Sequence, residues 1–588
     1  MHVSLIALNS SYTHTAAALY QLAAVSDAIA DISIKEFTIN DEVDYILSEI
    51  YASCPDVVGF SCYIWNIGLT LRLCASLKKI LPGIVIILGG PEVSYDAVEL
   101  LSDYSYIDYI VSGEGEQAFA RLLKHLQSES SAPENIEGLY WRDGDEIHGY
   151  GFAVLSDLNA MPTMACALDY ADAINSRIIY YETSRGCPYK CSYCLSSTTE
   201  GVRYLAMDKV KADLDAIMQS GTKQLKFLDR TFNANKKRAV DIWRYIVDNP
   251  KRLPDMRFHF EICADIIDDE MLDFLVTVPS GIFQFEIGIQ SANEAALSAV
   301  GRRADIKRLE HVVSTLAEQG NIRLHLDLIA GLPAEDFTSF GRSFDFAYSL
   351  RPDTLQLGFL KLLKGSRLRA EVKRFGYAYD DCPPYEVLYN DYMSFKEMCE
   401  LHWIEDALNR YYNSGRLNHV LNYMTKNYYS SPFDFYRAFG RYWHDKGFYG
   451  RTHKDEIFYD IMFRFIDDNR FQPRQLLSEL LRADYLLRHP STSHPAWLAA
   501  ARNKSMKAVQ KDLFADREFV RRYMPHFSDA EPKIIARHAY IEPFDYDIAS
   551  IIASDYKPQY EPKPTWLLID TSLGNIYNVS RETYFSIG

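Results

Sequence analysis

The sequence predicts an α/β protein in three parts: a Rossmann-like N-terminal domain, a partial (β/α)6 TIM-like barrel and a helix-rich C-terminal domain. Three observations predict it. Short apolar runs alternate with helical periodicity over residues 1–127, and the alternation resumes over 176–375. Beyond 376 the strand pattern gives way to helical segments. The 588 residues are 48% hydrophobic and 24% charged, a globular composition with room for roughly three or four domains. A net charge of −17 argues against a protein that grips phosphate backbones, so nucleic acid is not an expected partner. The longest apolar stretches, such as 84–88, fall far short of the ~20 residues of a membrane helix. No basic segment followed by an apolar one opens the chain, so no signal peptide and a cytoplasmic setting are expected.

In the N-terminal part, apolar runs at 3–8, 32–39, 56–61, 84–88 and 109–111 predict five strands of an open, mostly parallel sheet. Helical patterns at 16–29, 69–81 and 117–126 lie between them. Ligands in such sheets sit beyond the carboxyl ends of the strands. The loops there run from Asn9 to His14, from Ser61 to Asn66, through Gly89-Gly90-Pro91-Glu92, and through Ser112-Gly113-Glu114-Gly115-Glu116. Together they predict a broad, glycine-lined platform for a large flat ligand. Residues 128–175 read as a linker with a short hairpin turning at Asp143-Gly144. Barrel strands are expected at 178–183, 224–228, 257–263, 282–289, 323–329 and 354–360, with functional groups at their carboxyl ends. The C-terminal part, 376–588, holds over half of the 41 tyrosines and ends in a hairpin over 565–579.

Ten cysteines are too few for a disulfide scaffold, and three are clustered: Cys187, Cys191 and Cys194, just past the first barrel strand. Three thiolates can each hold one iron of a cubane and leave the fourth iron open. A structural zinc site needs a fourth ligand; no Cys or His follows within the next dozen residues, and Cys166 lies 21 residues upstream. This spacing, with Tyr193 before the last cysteine, resembles the radical S-adenosylmethionine (SAM) superfamily. Phe285-Glu286-Ile287-Gly288-Ile289-Gln290-Ser291 and Leu326-Asp327-Leu328-Ile329-Ala330-Gly331-Leu332-Pro333 resemble its fourth- and fifth-strand motifs. The resemblance implies a [4Fe–4S] cluster whose open iron chelates SAM, and a 5′-deoxyadenosyl radical formed on reduction. It also implies Gln290 and Asp327 at the SAM ribose, Arg302 (or the adjacent Arg303) at the SAM carboxylate, and Tyr193 near the adenine. Glu286, Gly288 and Gln290 alternate onto one strand face. A carboxylate inside the barrel needs a partner, either a bound group or a barrel lysine or arginine. Asp229 and Asn233 close the second strand and either touch SAM or substrate or cap the next helix.

A sheet domain ahead of such a barrel resembles the cobalamin-binding class of the superfamily, and the glycine turns at 89–92 and 113–116 match that class. The resemblance implies cobalamin against Asn9, Tyr12, His14, Ser61, Tyr63, Trp65, Asn66, Gly89, Gly90, Pro91, Glu92, Gly113, Glu114 and Gly115. Gly113-x-Gly115-x-x-Ala118 also fits a dinucleotide fingerprint, but it follows the fifth strand rather than the first, which rejects NAD. Free-standing cobalamin domains carry Asp-x-His-x-x-Gly. Tyr12 and Ala17 stand in its flanking positions here, so His14 is expected as a hydrogen-bonding loop residue, with Trp65 or Asn66 under the corrin. Cys54, Cys62 and Cys74 raise a radical methylthiotransferase, but their spacing spreads them over different sides of the sheet, and they read as buried free thiols. The C-terminal part resembles an uncharacterised domain of some cobalamin-dependent radical SAM proteins. Its aromatic stretch, 434–444, either lines a substrate cavity or packs a helical core.

The expected function is radical methyl transfer to an unactivated carbon or phosphorus centre, with a [4Fe–4S] cluster, SAM and cobalamin. The alternatives are a ring-forming or oxidoreductive reaction without net methylation, and a cobalamin or SAM sensor that never turns over. The expected partners are a small-molecule or peptide substrate and an electron donor such as flavodoxin or ferredoxin.

Overall fold

The computed structural model describes residues 1–128, 133, 135–489, 506–558 and 561–580. They form two compact units. The first comprises Met1–Ser343, Ser349–Asp353 and Leu357–Phe395; the second comprises Phe344–Tyr348, Thr354–Gln356 and the chain from Lys396 onward.

The first unit opens with strands β1 (His2–Asn9), β2 (Asp31–Thr38), β3 (Val57–Ser61), β4 (Val85–Gly89), β5 (Tyr109–Val111), β6 (Leu139–Asp143) and β7 (Glu146–Gly149). They form one sheet in the order β2-β1-β3-β4-β5-β6-β7. The first five are parallel, and β6 and β7 add antiparallel at the β5 edge. The expected hairpin therefore forms, extends the first sheet, and turns through Gly144 and Asp145.

Helices α1 (Ala17–Ser26), α2 (Val43–Ala52), α3 (Ile67–Ile80), α4 (Ala97–Asp103) and α5 (Gly115–Leu126) cover both faces. Leu5, Val57 and Ile87 pack with Leu19 of α1 and Phe119 and Leu122 of α5. Their neighbours Ile6, Val58 and Ile86 pack on the other side with Ile46, Leu73 and Leu100. This is why β1 reads as a continuous apolar run rather than an alternating one. The strand order reverses between β1 and β3, which opens a crevice between the loops that follow them.

The barrel strands are β8 (Ile178–Tyr181), β11 (Gln224–Phe227), β12 (Arg257–Ile262), β13 (Phe283–Gln290), β14 (Arg323–Ala330) and β15 (Thr354–Phe359). A small hairpin, β9 (Ser184–Gly186) and β10 (Val202–Tyr204), branches off after β8. The six long strands form an open sheet in the order β15-β14-β13-β12-β11-β8. On β13, Phe283, Phe285, Ile287 and Ile289 are buried, and Phe285 packs 5.6 Å from Trp243 of helix Lys236–Asp248. Glu286, Gly288 and Gln290 alternate to the other face. The same alternation turns Lys226, His259, Glu261, His325 and Asp327 inward, so the barrel interior is polar.

Two backbone-level links join sheet and barrel. The Ile178 N–H donates to the Thr13 carbonyl at 2.8 Å, and the Thr15 hydroxyl donates to the Ile178 carbonyl at 2.8 Å. Beside them the Arg177 guanidinium reaches the Glu36 carboxylate and the His14 carbonyl, and the Tyr20 hydroxyl donates to the same carboxylate. The Arg177 and Glu36 side chains are 5% and 11% exposed.

In the second unit, helix Pro432–Asp445 buries Phe435, Tyr436, Phe439 and Trp443 completely. The aromatic stretch 434–444 is thus helical core. Ser431 caps that helix by accepting from the Asp434 N–H, and Pro432 occupies its first turn. Strands Ala539–Phe544, Thr565–Asp570 and Asn575–Asn578 form a three-stranded sheet, with Pro543 on its edge strand. Among the described residues no helix is long and apolar enough to cross a membrane.

Two stability predictions arise here. Arg177→Met removes the cation from the largely buried Glu36 carboxylate and should cost about 3–5 kcal/mol, whereas adding Glu36→Gln to it should cost less. Urea unfolding of the four variants in a double-mutant cycle checks the difference. In the second unit, Asp484 accepts from the N–H groups of His419 and Val420, and burial raises its pKa from 3.8 to about 8. Between those values the folded protein keeps a proton that the unfolded chain has lost. Stability from this group is therefore full below the lower value and drains as pH rises to the upper one. Asp484→Asn should flatten that slope in unfolding curves taken across this range.

Candidate functional site

The β9–β10 hairpin carries the loop with Cys187, Cys191 and Cys194. All three line one cavity of about 190 Å³, together with Tyr193, Glu286, Gln290, Arg302 and Asp327. Every residue expected at a cluster or at SAM thus meets at one place. Among the described residues no three His, Cys, Asp or Glu side chains converge on a single metal ion. The three thiols all belong to the wall of the one cavity, and three thiolates are the number that holds a cubane with one open iron. Cys166 is exposed and does not line the cavity, so it is not the fourth ligand that zinc would need. Cys187 is partly buried, which raises its pKa, with the Thr231 hydroxyl 3.5 Å away opposing.

The geometry of β13 explains its glycine. A Cβ at position 288 would lie 2.1 Å from Gln290 Nε2, so the Gln290 amide as it stands occupies the space above the glycine and would have to move for any larger residue. Gln290 itself has φ +68° at a bulge against β14. Its Oε1 is buried without a hydrogen-bond donor. Arg302 donates to the Gly288 carbonyl at 2.5 Å and lies 3.9 Å from Cys191 Sγ, while its buried Nε has no acceptor. Arg303 is exposed and does not line the cavity. Three thiols, an amide oxygen awaiting a donor and a guanidinium with an unused N–H fit a [4Fe–4S] cluster and the amino-acid end of SAM.

Deeper in the barrel the acids already have partners. Glu286 lies 3.1 Å from Lys226 Nζ and 2.8 Å from His259 Nε2. Burial works against its charge, but the His259 hydrogen bond and the Lys226 ammonium outweigh it and lower its pKa to about 2. Glu286 thus has a barrel lysine beside it and also lines the cavity. Asp327 lies 2.7 Å from His325 Nε2, and burial nevertheless raises its pKa. Asp229 and Asn233 neither face the cavity nor cap a helix. Asp229 accepts from the Thr183 N–H and from the Thr183 and Ser184 hydroxyls at 2.6–2.8 Å. Asn233 pairs with the backbone of Cys263 at 2.7 and 2.9 Å. Both pin the loops that carry the cavity wall. The lining also includes Tyr189, Arg230, Glu261 and Cys263. Of these, Glu261 has a sequence signal in the polar alternation of β12, whereas Tyr189 lies on the cysteine loop and Arg230 and Cys263 follow the ends of β11 and β12.

On the sheet side a cavity of about 680 Å³ is lined by Asn9, His14, Ser61, Tyr63 and Trp65, and from the barrel by Tyr180, Glu182, Arg185 and Arg230. Tyr63 and Trp65 stack at 4.5 Å with an interplanar angle of 3°, forming a flat shelf. His14 Nδ1 shares a 2.5 Å hydrogen bond with the Tyr180 hydroxyl, and burial, aided by Lys226 and Arg177, lowers its pKa. A second cavity, about 370 Å³, runs between the sheet and helices α1 and α5. It is lined by Leu5, Leu19, Gly59 and Phe119 with Gly89, Gly90, Pro91, Gly113, Glu114 and Gly115. A flat macrocycle with an appended group fits such a pair of spaces.

Four expected cobalamin contacts are otherwise engaged. Asn66 is 2% exposed and spends its amide on the Leu8 and Ser61 carbonyls and the Tyr63 N–H. Tyr12 lines neither cavity and has Arg177 over its ring. Glu92 accepts from the Tyr385 hydroxyl at 2.7 Å and is buried away from both cavities. Glu114 touches the smaller cavity, but its carboxylate is held by Arg203, Arg185 and the Leu155 N–H. Cys54 is exposed, whereas Cys62 and Cys74 are buried in one and the same core rather than on different sides of the sheet.

The glutamates of the 113–116 turn thus bind the barrel. Arg185, two residues before Cys187, donates to Glu182 and to Glu116 at 2.7 Å and lies 3.1 Å from Glu114. Arg203 on the partner strand holds the other side of Glu114 at 2.5 Å. These four side chains are 11–19% exposed. Arg185→Gln should speed amide exchange over β9 and β10 by about tenfold or more, while the exchange of β1 and β3 stays unchanged. Mass-spectrometric hydrogen exchange reads this directly. Replacing Cys187, Cys191 and Cys194 together by Ala should abolish iron incorporation on anaerobic reconstitution.

Family models match three stretches of the chain: the B12 binding domain over residues 4–123, the radical SAM superfamily over 181–347, and a protein domain of unknown function, DUF4080, over 373–568. The 2-(S-pantetheinyl)-carbapenam-3-carboxylate methyltransferase of Streptantibioticus cattleyicolor is 26% identical over 308 residues, 49% of this chain and 44% of that protein. The anaerobic magnesium-protoporphyrin IX monomethyl ester cyclase of Cereibacter sphaeroides is 22% identical over 312 residues, 51% of this chain and 50% of that one. The matched stretch therefore spans about half the length of these curated relatives or less. The structure of the radical SAM methyltransferase TsrM from Kitasatospora setae superposes with a TM-score of 0.54 at 18% identity, covering 65% of this chain and 80% of that one, and so shares the fold. The chain thus carries a B12-binding domain and a radical SAM domain, followed by a domain of unknown function, and it is similar to cobalamin-dependent radical SAM enzymes.

Proposed function

We propose that the protein is an oxygen-sensitive enzyme that transfers a methyl group to an unactivated carbon or phosphorus centre. When bound, the cluster and SAM supply a 5′-deoxyadenosyl radical, and cobalamin supplies the methyl group. The observation that supports this reading is the junction of two cavities. The space of about 190 Å³ lined by the cysteines and the space of about 680 Å³ beside the Tyr63–Trp65 shelf share Arg230 as a wall. A substrate held at that junction would have one cofactor on each side.

The chain's own residues then have separable tasks. The three thiols hold the cluster, Arg302 and Gln290 orient the amino-acid and ribose parts of SAM, and Tyr63 and Trp65 offer a flat apolar face. The Arg185–Glu114–Glu116 clamp fixes the distance between the two halves, which a reaction shared between two cofactors requires. A low-potential carrier such as flavodoxin or ferredoxin is the proposed electron source, and a small molecule or peptide the proposed substrate. The cyclase relative favours one second reading, a ring-forming reaction without net methylation that uses the same residues.

Two experiments test this. Reduced, reconstituted protein given SAM with a labelled methyl group and a small-molecule cell extract should form 5′-deoxyadenosine and place the label in a carbon- or phosphorus-bound product. 5′-Deoxyadenosine without label transfer would favour the ring-forming reading, and no 5′-deoxyadenosine would exclude both. Asp327→Ala should weaken SAM binding by about tenfold to a hundredfold, the loss of a charge-assisted contact of ~1.5–3 kcal/mol, with iron content unchanged. Full affinity with a full cluster would remove Asp327 from the SAM site.

A further inference from the structure

Charged side chains that line a cavity are normally spent on the protein itself, and in the 680 Å³ space nearly all are. Lys209 donates to the Met161 and Pro162 carbonyls at 2.9 and 3.0 Å. Asp213 accepts from the Met164 N–H and the Tyr181 hydroxyl at 2.7 and 3.0 Å. Arg185 is held by Glu182 and Glu116, and they by it.

Arg230 is different. Among the described residues its side chain makes no hydrogen bond, and its one ion pair is a loose 3.8 Å approach to Glu261. The side chain is 54% exposed and lines both the 680 Å³ and the 190 Å³ cavities. Its direction is built in. Asp229 is buried and tied by three hydrogen bonds to Thr183 and Ser184, and the next residue along the chain is turned to the mouth. A guanidinium presents a planar fork of N–H donors that matches a carboxylate or a phosphate. The larger cavity has aromatic and apolar side chains in its wall (Tyr63, Trp65, Tyr180, Leu158 and Met161) together with the carboxylates of Glu116, Glu182 and Asp213, which are already engaged.

We propose that Arg230 is the substrate anchor, and that the substrate carries a carboxylate or phosphate held where the cluster cavity meets the larger one. The assignment rests on the reading of this junction as the place of reaction, and it names the substrate class for that reading. An anion gripped here sits at the border between the cluster side and the shelf, so the atoms next to it are presented to both.

The test uses the reconstituted, unreduced holoenzyme with saturating SAM, so that the SAM site is filled and no turnover occurs. Equilibrium dialysis compares phenylacetate and phenyl phosphate with neutral 2-phenylethanol. At least one anion should bind about tenfold or more tighter than the alcohol, and which one does separates a carboxylate substrate from a phosphate. Arg230→Gln should abolish that preference and Arg230→Lys should keep part of it, with iron content and SAM affinity matching the parent protein in both. No preference in the parent, or a preference that survives Arg230→Gln, overturns the proposal. So does a loss of SAM affinity or iron in Arg230→Gln, which would assign the residue to the cofactors. If 5′-deoxyadenosine never forms on reduction, the proposed reaction fails while the charge preference is still measured; absence of the preference in the parent protein, with 5′-deoxyadenosine still formed, removes the anchor alone.

Discussion

The ion network of Arg185 and Arg203 with Glu114 and Glu116 is the contact on which the rest of the site depends. It ties the turn that opens α5 to the hairpin that carries the three cysteines. A cofactor domain and a barrel could be joined by apolar packing alone, but apolar contacts tolerate sliding. Two forked guanidinium groups meeting carboxylates in a largely buried setting fix direction as well as distance. The second attachment, Arg177 to Glu36 beside the β1–α1 loop, acts at the other edge of the same cavity. Two anchorages at separate points leave less freedom to hinge than one would.

Inside the barrel a different constraint rules. Alternation along β11 to β14 puts apolar residues, many of them aromatic, outward against the helices and polar ones inward. The outer face supplies cohesion: Phe260 stacks on Phe227 at 4.5 Å and meets Phe283 edge-on at 5.3 Å. The inner face is thereby free to carry charge. It remains tolerable because Glu286 and Asp327 are matched by Lys226, His259 and His325 rather than left to bound groups alone. A polar barrel interior is costly unless each charge is answered, and here neighbouring strands answer most of them.

Much of this was legible in the sequence because it is local. The unbroken apolar run of β1 announces a strand covered on both sides, and three cysteines within eight residues announce a cluster loop. What stayed hidden depends on partners far along the chain. Glu116 and Glu114 look like ligand-facing residues of a glycine turn until their arginines, 69 and 89 residues away, are placed beside them. Asn66 looks like a loop donor for a ligand, but its local bonds to Ser61 and Tyr63 and a distant one to Leu8 consume it. The edge position of β6 and β7 is likewise a matter of register between segments, which no local pattern encodes. The aromatic stretch over 434–444 has the period of a buried helix face, and periodicity alone does not distinguish a core from a cavity lining.

Gly288 has a reach beyond its own backbone. The space it leaves is filled by the Gln290 amide, and its carbonyl receives Arg302, while none of the three thiols lies within 4 Å of the missing Cβ. A side chain at this position would have to push the Gln290 amide aside, whereas the cysteines sit on a separate loop, between β9 and β10. Among related chains, position 288 therefore reports on where the Gln290 amide lies, independently of whether the three cysteines are kept.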